Sequence, residues 1–395
     1  MPQGVAFTYP DPSHVHSVVP VLAELARQGH RFTAYSSDRY REILLRAGLE
    51  FRCYEHTMPP SGGGPFSGMA RRLGFAETVL PGLISQLRAD PPDYVIADAA
   101  APWGGIAARV LNLRSIGYRA TFVVRPGMIT TGELAEMFYK DAPRDLVFSG
   151  LADLIRYYEI AQRLDRLYGS QTGDVIASLE NRQHLNLVLI SRELQFQGDS
   201  FDPAYHFVGR CPGKESNDGG FPWERLDTRP LIYVSLGTVS GDRPDFFRAC
   251  FDAFRNTPYQ VVMALGRVSA ADLGAAPANF VVVEHAPQIE LLRRAVLFIS
   301  HAGPSSVEES LRHDVPLLVW PQAGCHFGMA DRLVELGVAL RLSSPITPKS
   351  LWDGALQVLN DPRLQQRAAD LGARMRASGG GTAHAVRAIA AFLRQ

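Results

Sequence analysis

Four places in the chain set chemically capable side chains just after short apolar runs. The first is Pro10–His16, which carries His14 and His16. The second is Asp98, at the end of Tyr94–Ala97. A histidine held by a carboxylate is a general-base arrangement, because the acid fixes the imidazole tautomer and stabilises the imidazolium. A positioned base contributes ~10²–10⁴-fold in rate. On spacing alone His16 competes with His14 for that role. The third place is Leu236-Gly-Thr238, where glycine permits close approach and Thr238 offers a hydroxyl. The fourth is His301–Ser310, HAGPSSVEES. A helix starting near Pro304 would aim free N–H groups and its dipole at an anion. His301, Ser305 and Ser306 add donors, and Glu309 lies one turn on, placed to accept from a sugar hydroxyl. Taken alone, a capped helix with a solvated acid would read the same way.

These residues need strands to present them. Val5–Tyr9, Arg31–Ser36, Glu50–Tyr54 and Tyr94–Ala97 read as strands alternating with helices. The helix after the first strand is expected over Val18–Gln28, capped by Ser17, with Pro20 in its first turn. Residues 57–72 are Pro/Gly/Ser-rich and read as a loop, and 122–182 as irregularly helical. Gly213–Trp223 is polar and Gly-rich, the best linker candidate. The rhythm then restarts with strands at Leu231–Ser235, Gln260–Ala264, Phe280–Glu284, Leu297–Ser300 and Leu317–Trp320. The expected fold is α/β, two Rossmann-like parallel-sheet domains facing a cleft. The boundaries predicted are 1–212 and 213–378, with 379–395 as a terminal helix returning to the first domain. In parallel sheets ligands sit beyond the carboxyl ends of strands, where all four places fall.

Composition narrows the function. The 395 residues carry 40 Lys+Arg against 40 Asp+Glu, so net charge gives no argument for a nucleic-acid or anionic-membrane partner. No apolar run approaches the length of a membrane span, and stable membrane insertion is not expected. The N-terminus lacks the basic start and long apolar core of a signal peptide. Cys53, Cys211, Cys250 and Cys325 are scattered, without metal spacing, and read as reduced thiols in a cytoplasmic protein. No Asp-x-Asp pair suggests a metal–diphosphate site, and no dinucleotide fingerprint or P-loop is present. No cofactor and no metal are expected.

Together the motifs resemble family 1 glycosyltransferases of the GT-B type, close to bacterial enzymes acting on macrolides and other natural products. The resemblance rests on Pro287-Gln288, His301-Ala-Gly303, Ser306, Glu309, Pro316, Pro321-Gln322 and Ala330-Asp331, an ordered block. Gln28-Gly-His-Arg31, Val95-Ile-Ala-Asp98 and Phe207-Val-Gly209 extend it over nearly the whole chain. It implies an inverting, metal-independent transfer from a UDP- or dTDP-sugar to a hydroxyl of a small apolar acceptor. In it His14 is the base and Asp98 its partner. His301, Ser306 and backbone N–H groups hold the diphosphate, Gln288 and Glu309 meet the ribose, and Thr238 lies near the phosphates and acceptor. Five positions depart from the pattern. His285 stands where relatives carry a base-stacking Trp, and Cys325-His326 where they often have Asp-Gln. Met329 stands for Asn, and Ser17 for a Pro common after the base. Two other functions fit the same plan, a non-catalytic auxiliary protein and an NDP-sugar epimerase. The expected assembly is a monomer or homodimer.

Overall fold

The computed structural model describes residues 1–58, 65–139, 144–211, 220–237, 242–322 and 324–395. The chain forms two compact units. One comprises Met1–Leu189, Asp199–Gly213 and Gly380–Gln395, the other Ile190–Gly198 and Lys214–Gly379. Most of the linker candidate Gly213–Trp223 lies outside the described residues.

The first unit runs β1 (Gln3–Phe7), α1 (Pro12–Arg27), β2 (Arg31–Ser36), α2 (Arg41–Arg46), β3 (Glu50–Cys53), α3 (Pro65–Ala89) and β4 (Tyr94–Asp98). It continues through α4 (Pro102–Val110), β5 (Arg114–Arg119), α5 (Thr131–Tyr139), α6 (Arg144–Tyr168), α7 (Val175–Glu180), β6 (Leu185–Val188) and β7 (Tyr205–Phe207). The second unit runs β8 (Leu231–Ser235), α8 (Pro244–Phe254), β9 (Gln260–Ala264), β10 (Phe280–Val283), α9 (Gln288–Leu292), β11 (Ala295–Ser300) and α10 (Pro304–Arg312). It closes with β12 (Leu317–Val319), α11 (Cys325–Glu335), β13 (Ala339–Arg341), α12 (Pro348–Asn360) and α13 (Pro362–Ala377). Helix α14 (Gly381–Leu393) belongs to the first unit.

Among the described residues the sheets have seven and six strands, in the orders β3-β2-β1-β4-β5-β6-β7 and β10-β9-β8-β11-β12-β13. Every pairing is parallel. In each sheet the order reverses beside the first strand, at β1/β4 and at β8/β11, the points where such sheets accept ligands. Strands covered on both faces must be apolar throughout, and β4, β8 and β9 are buried along their whole length.

Two local expectations need correction. Helix α1 begins at Pro12, not near Val18, because the Asp11 carboxylate caps it by accepting from Ser13 N at 2.9 Å. Pro20 therefore lies inside the helix, where it supplies no N–H, and Ser17 Oγ instead donates to the His14 carbonyl at 2.8 Å. The Val15, Val18, Val21, Leu22 and Leu25 stripe is wholly buried and holds the helix on the sheet despite that proline. Residues 65–72, expected as loop, are the start of α3, because Phe66, Met69, Ala70 and Leu73 form a buried helical face. Residues 59–64 lie outside the described residues.

Helix α14 buries Ala385, Val386, Ala388 and Ile389 in the core that α1 shares. Arg114 from β5 donates to the Leu393 carbonyl at 2.9 Å, satisfying one of the acceptors a helix C-terminus leaves open. Among the described residues no helix is long and apolar enough to cross a membrane.

Candidate active site

In the first unit the register Phe7↔Ala97 brings the ends of β1 and β4 level. The chain then turns from β1 through Asp11-Pro12, which places His14 in the first turn of α1, beside Asp98. His14 Nδ1 lies 2.8 Å from Asp98 Oδ2. The Asp98 carboxylate is fully buried, whereas the imidazole keeps 22% of its side chain exposed. Asp98 Oδ1 accepts from Ala100 N at 2.8 Å, so both carboxylate oxygens are engaged. A carboxylate bonded to Nδ1 holds the proton there and leaves Nε2 as the acceptor. Burial would by itself lower the His14 pKa. The charge and hydrogen bond of Asp98, with a smaller contribution from Asp11, outweigh it and the opposing charge of Arg72, and the net shift is upward.

His16 does not share this partner. Its ring sits edge-on to Tyr40 at 6.4 Å, and burial followed by Arg39 pushes its pKa down. The geometry thus separates two histidines that spacing could not. The Tyr9 ring meets His14 edge-on at 5.1 Å, a neighbour the sequence did not mark because its type is common in cores.

In the second unit the register Ser235↔Ser300 sets the loops after β8 and β11 side by side. Helix α10 begins at Pro304 with Gly303 as its cap and no side chain capping the first turn. A Cβ on Gly303 would fall 2.4 Å from His301 Nε2, and one on Gly237 2.7 Å from His301 Cε1, so both backbones lie against the imidazole. Ala302 takes a left-handed φ of 64°, which turns the chain tightly between ring and helix. Ser305 is exposed and Ser306 half-buried in the first turn.

One turn on, Glu309 is buried at 7% exposure. Gln288, at the start of α9, donates through Nε2 to Glu309 Oε2 at 2.5 Å and to Ser306 Oγ at 3.3 Å. The Tyr233 hydroxyl donates to Gln288 Oε1 at 3.2 Å, a role that its place in an apolar strand concealed. Glu308, the next residue round the helix, serves the fold instead. Its wholly buried carboxylate accepts from Ser191 N at 3.0 Å and from Arg312 Nε at 3.2 Å, tying Ile190–Gly198 to the second unit.

The remaining residues expected on the donor side divide. His326, in the first turn of α11, brings its ring to 4.6 Å from that of His301, at 88°. Burial, then the neighbouring imidazole, drives the His301 pKa down to about 3 against a small opposing effect of the Ser235 backbone. Burial alone lowers His326 to about 4. The His326 Nδ1 is buried without a hydrogen-bond partner among the described residues, whereas the His301 ring meets the Ser235 backbone. A buried polar atom left without a partner costs on the order of 1–3 kcal/mol. Cys325 is exposed, and so is His285, which lies 3.4 Å from Glu284. Thr238 lies outside the described residues. Met329 is fully buried in α11 and presents nothing to a ligand.

Residues 249–389 match the family of the erythromycin biosynthesis protein CIII-like C-terminal domain. The chain is 32% identical over 393 residues to the oleandomycin glycosyltransferase of Streptomyces antibioticus, covering 96% of this chain and 88% of that one. It is 34% identical over 336 residues to the uncharacterized UDP-glucosyltransferase YdhE of Bacillus subtilis, covering 83% and 82%. The solved glycotransferase of kitacinnamycin superposes with a TM-score of 0.82 at 27% identity, over 99% of this chain and 100% of that one. With two parallel-sheet units and these relatives, the chain belongs to the family 1 glycosyltransferases of the GT-B fold, among those of macrolide and other natural-product pathways, and is itself a glycosyltransferase.

Proposed function

We propose that this glycosyltransferase moves a sugar, with inversion, from a UDP- or dTDP-sugar to a hydroxyl of an apolar natural-product acceptor. The first unit serves the acceptor and the second the donor. His14 Nε2 takes the proton of the acceptor hydroxyl while Asp98 steadies the imidazolium that forms. The acceptor oxygen bonds to the anomeric carbon from the face opposite the nucleotide. The bond from that carbon to the diphosphate oxygen breaks, and its electron pair leaves with the diphosphate. The open first turn of α10, with His301, Ser305 and Ser306, meets that developing charge, an electrostatic role. Thr238 is placed by resemblance near the same phosphates.

Gln288 and Glu309 hold the ribose. Their mutual 2.5 Å bond shows a donor and an acceptor already oriented together. His285 faces the base, and Cys325-His326 enter the donor site from the first turn of α11. The hydrogen-bond donors and helix dipole that meet the diphosphate make a metal unnecessary, and the protein works in the cytoplasm as a monomer or homodimer. An apolar acceptor suits α6, whose Phe148, Leu151, Ile155 and Tyr158 form an exposed apolar stripe at helical spacing.

The observation that carries the proposal is the 2.8 Å contact between His14 and a buried carboxylate. The test is mass spectrometry of reactions containing mixed UDP- and dTDP-sugars, a panel of aglycones and EDTA. The expected product is an aglycone heavier by one sugar residue, formed undiminished by the chelator. Nucleotide binding without transfer across the panel, or an isomerised sugar formed without acceptor, would overturn it.

A further inference from the structure

The contact between His301 and His326 joins two segments that the sequence keeps apart, the β11–α10 turn and the start of α11. The His326 ring presents a buried Nδ1 without a partner among the described residues, the His301 ring meets only the Ser235 backbone there, and both stand in first turns or loops at helix N-termini that no side chain caps. Gly324, which leads into α11, takes φ 46°, and Gly303 leads into α10, so neither helix entrance carries a side chain of its own. Two touching imidazoles and two uncapped helix starts thus come together, and among the described residues no carboxylate pairs with either ring.

We propose that His326 joins His301 in gripping the donor's diphosphate, and that the imidazole pair takes up a proton from solvent as the diphosphate binds. This rests on the donor site proposed above and says how its Cys325-His326 departure works: the second imidazole turns to the phosphates rather than to the sugar.

The physical reason is charge. In the empty protein both rings are neutral near pH 7, so they meet without repulsion. A diphosphate brings negative charge into a poorly solvated space, and a nearby opposite charge raises an imidazole's pKa. One ring then becomes imidazolium, shared by hydrogen bonds to phosphate oxygens, while its neighbour stays neutral because two adjacent imidazoliums repel. The held positive charge opposes the negative charge that grows on the leaving diphosphate. The other charged groups packed about α11 are engaged elsewhere. Arg341 pairs with Asp331, Arg332 with Glu335 and the Glu193 carbonyl, and Arg243 with Asp245 and Gln322. None of them perturbs the His326 ring, on which burial alone acts.

The experiment is calorimetric titration of the full chain with UDP-glucose and dTDP-glucose at pH 7, in buffers of different ionisation enthalpy. These sugar diphosphates have no proton that titrates near neutrality, so any proton taken up belongs to the protein. The expected result is net uptake of up to one proton per complex, with affinity rising as pH falls from 8 to 6. His326→Gln should abolish most of the uptake and weaken binding ~10–100-fold at pH 6, as for a hydrogen bond to a charged group. His14→Ala should keep the uptake, which separates the pair from the base. Binding without proton uptake, with His326→Gln binding as tightly as the native chain at pH 6, would overturn the inference and leave the donor site standing. Failure of both sugar diphosphates, UDP and dTDP to bind at all would overturn the donor site as well.

Discussion

His14 and His301 follow the first strand of one sheet and the reversal strand of the other, yet their surroundings push them in opposite directions. Burial opposes charge on both. At His14 a buried carboxylate 2.8 Å away reverses that effect, and at His301 a second imidazole deepens it. The residue type is the same, and the partner decides the chemistry. One ring is kept ready to accept a proton, and the other is kept neutral beside an uncapped helix end. A carboxylate against the His301 ring would repel the diphosphate proposed to bind there, whereas the one against His14 makes that ring more basic.

The largest effect expected from breaking this contrast comes from His14→Ala. Turnover should fall ~10²–10⁴-fold while the affinity for the NDP-sugar stays within a few fold, measured by initial rates and by calorimetry. Removing the ring also leaves the buried Asp98 unpaired, so a thermal melt belongs beside the kinetics. Asp98→Asn should come next, with a loss of about 10²-fold. It also has a signature of its own. As the proposed base, His14 works unprotonated, so kcat/KM in the native enzyme should rise as pH passes upward through its raised pKa. Without the carboxylate that acid limb moves to lower pH. For stability the sign is the reverse. The His14–Asp98 pair stabilises the fold below the imidazole's unfolded value of about 6.5, and that contribution disappears as pH rises through the folded value.

How much of this the sequence carried differs between the two units. The second unit was the more legible. Its strands β8 to β12 are largely apolar runs, and His301, Ser306 and Glu309 lie within one strand–turn–helix, so local spacing brings them together. The His14–Asp98 pair spans 84 residues, and only the β1/β4 adjacency unites it. Spacing could not choose between His14 and His16, since the choice depends on where α1 starts. The Asp11-Pro12 cap settles that, and the stronger apolar stripe from Val18 onward hid it. Strands β5 and β13 escaped notice because Arg114–Arg119 carries two arginines and a glycine, and Ala339–Arg341 is three residues long. The approach of His326 to His301 had no local signal at all, because it depends on how α11 enters beside α10.

Smaller effects sharpen the donor side. Glu309→Gln or Gln288→Ala should weaken UDP or dTDP binding ~10–100-fold, as expected for hydrogen bonds involving a charged group, and lower kcat much less. Equal losses in kcat and binding would move these residues from the ribose to the reacting centre. The smallest effect on chemistry belongs to Ile389→Ala in α14. It removes a fully buried side chain from the first unit's core and should cost ~2–5 kcal/mol in denaturant unfolding. The rate per folded molecule should hardly change.

The contrast itself is tested most directly by following the imidazole resonances of His14, His301 and His326 by NMR as pH is lowered from 9 to 5 in the ligand-free protein. The account predicts that His14 gains its proton above the ordinary histidine value while His301 and His326 stay neutral to the end of the titration. A His14 that titrates below that value, or a His301 that protonates near it, would contradict the claim that the partner makes the base.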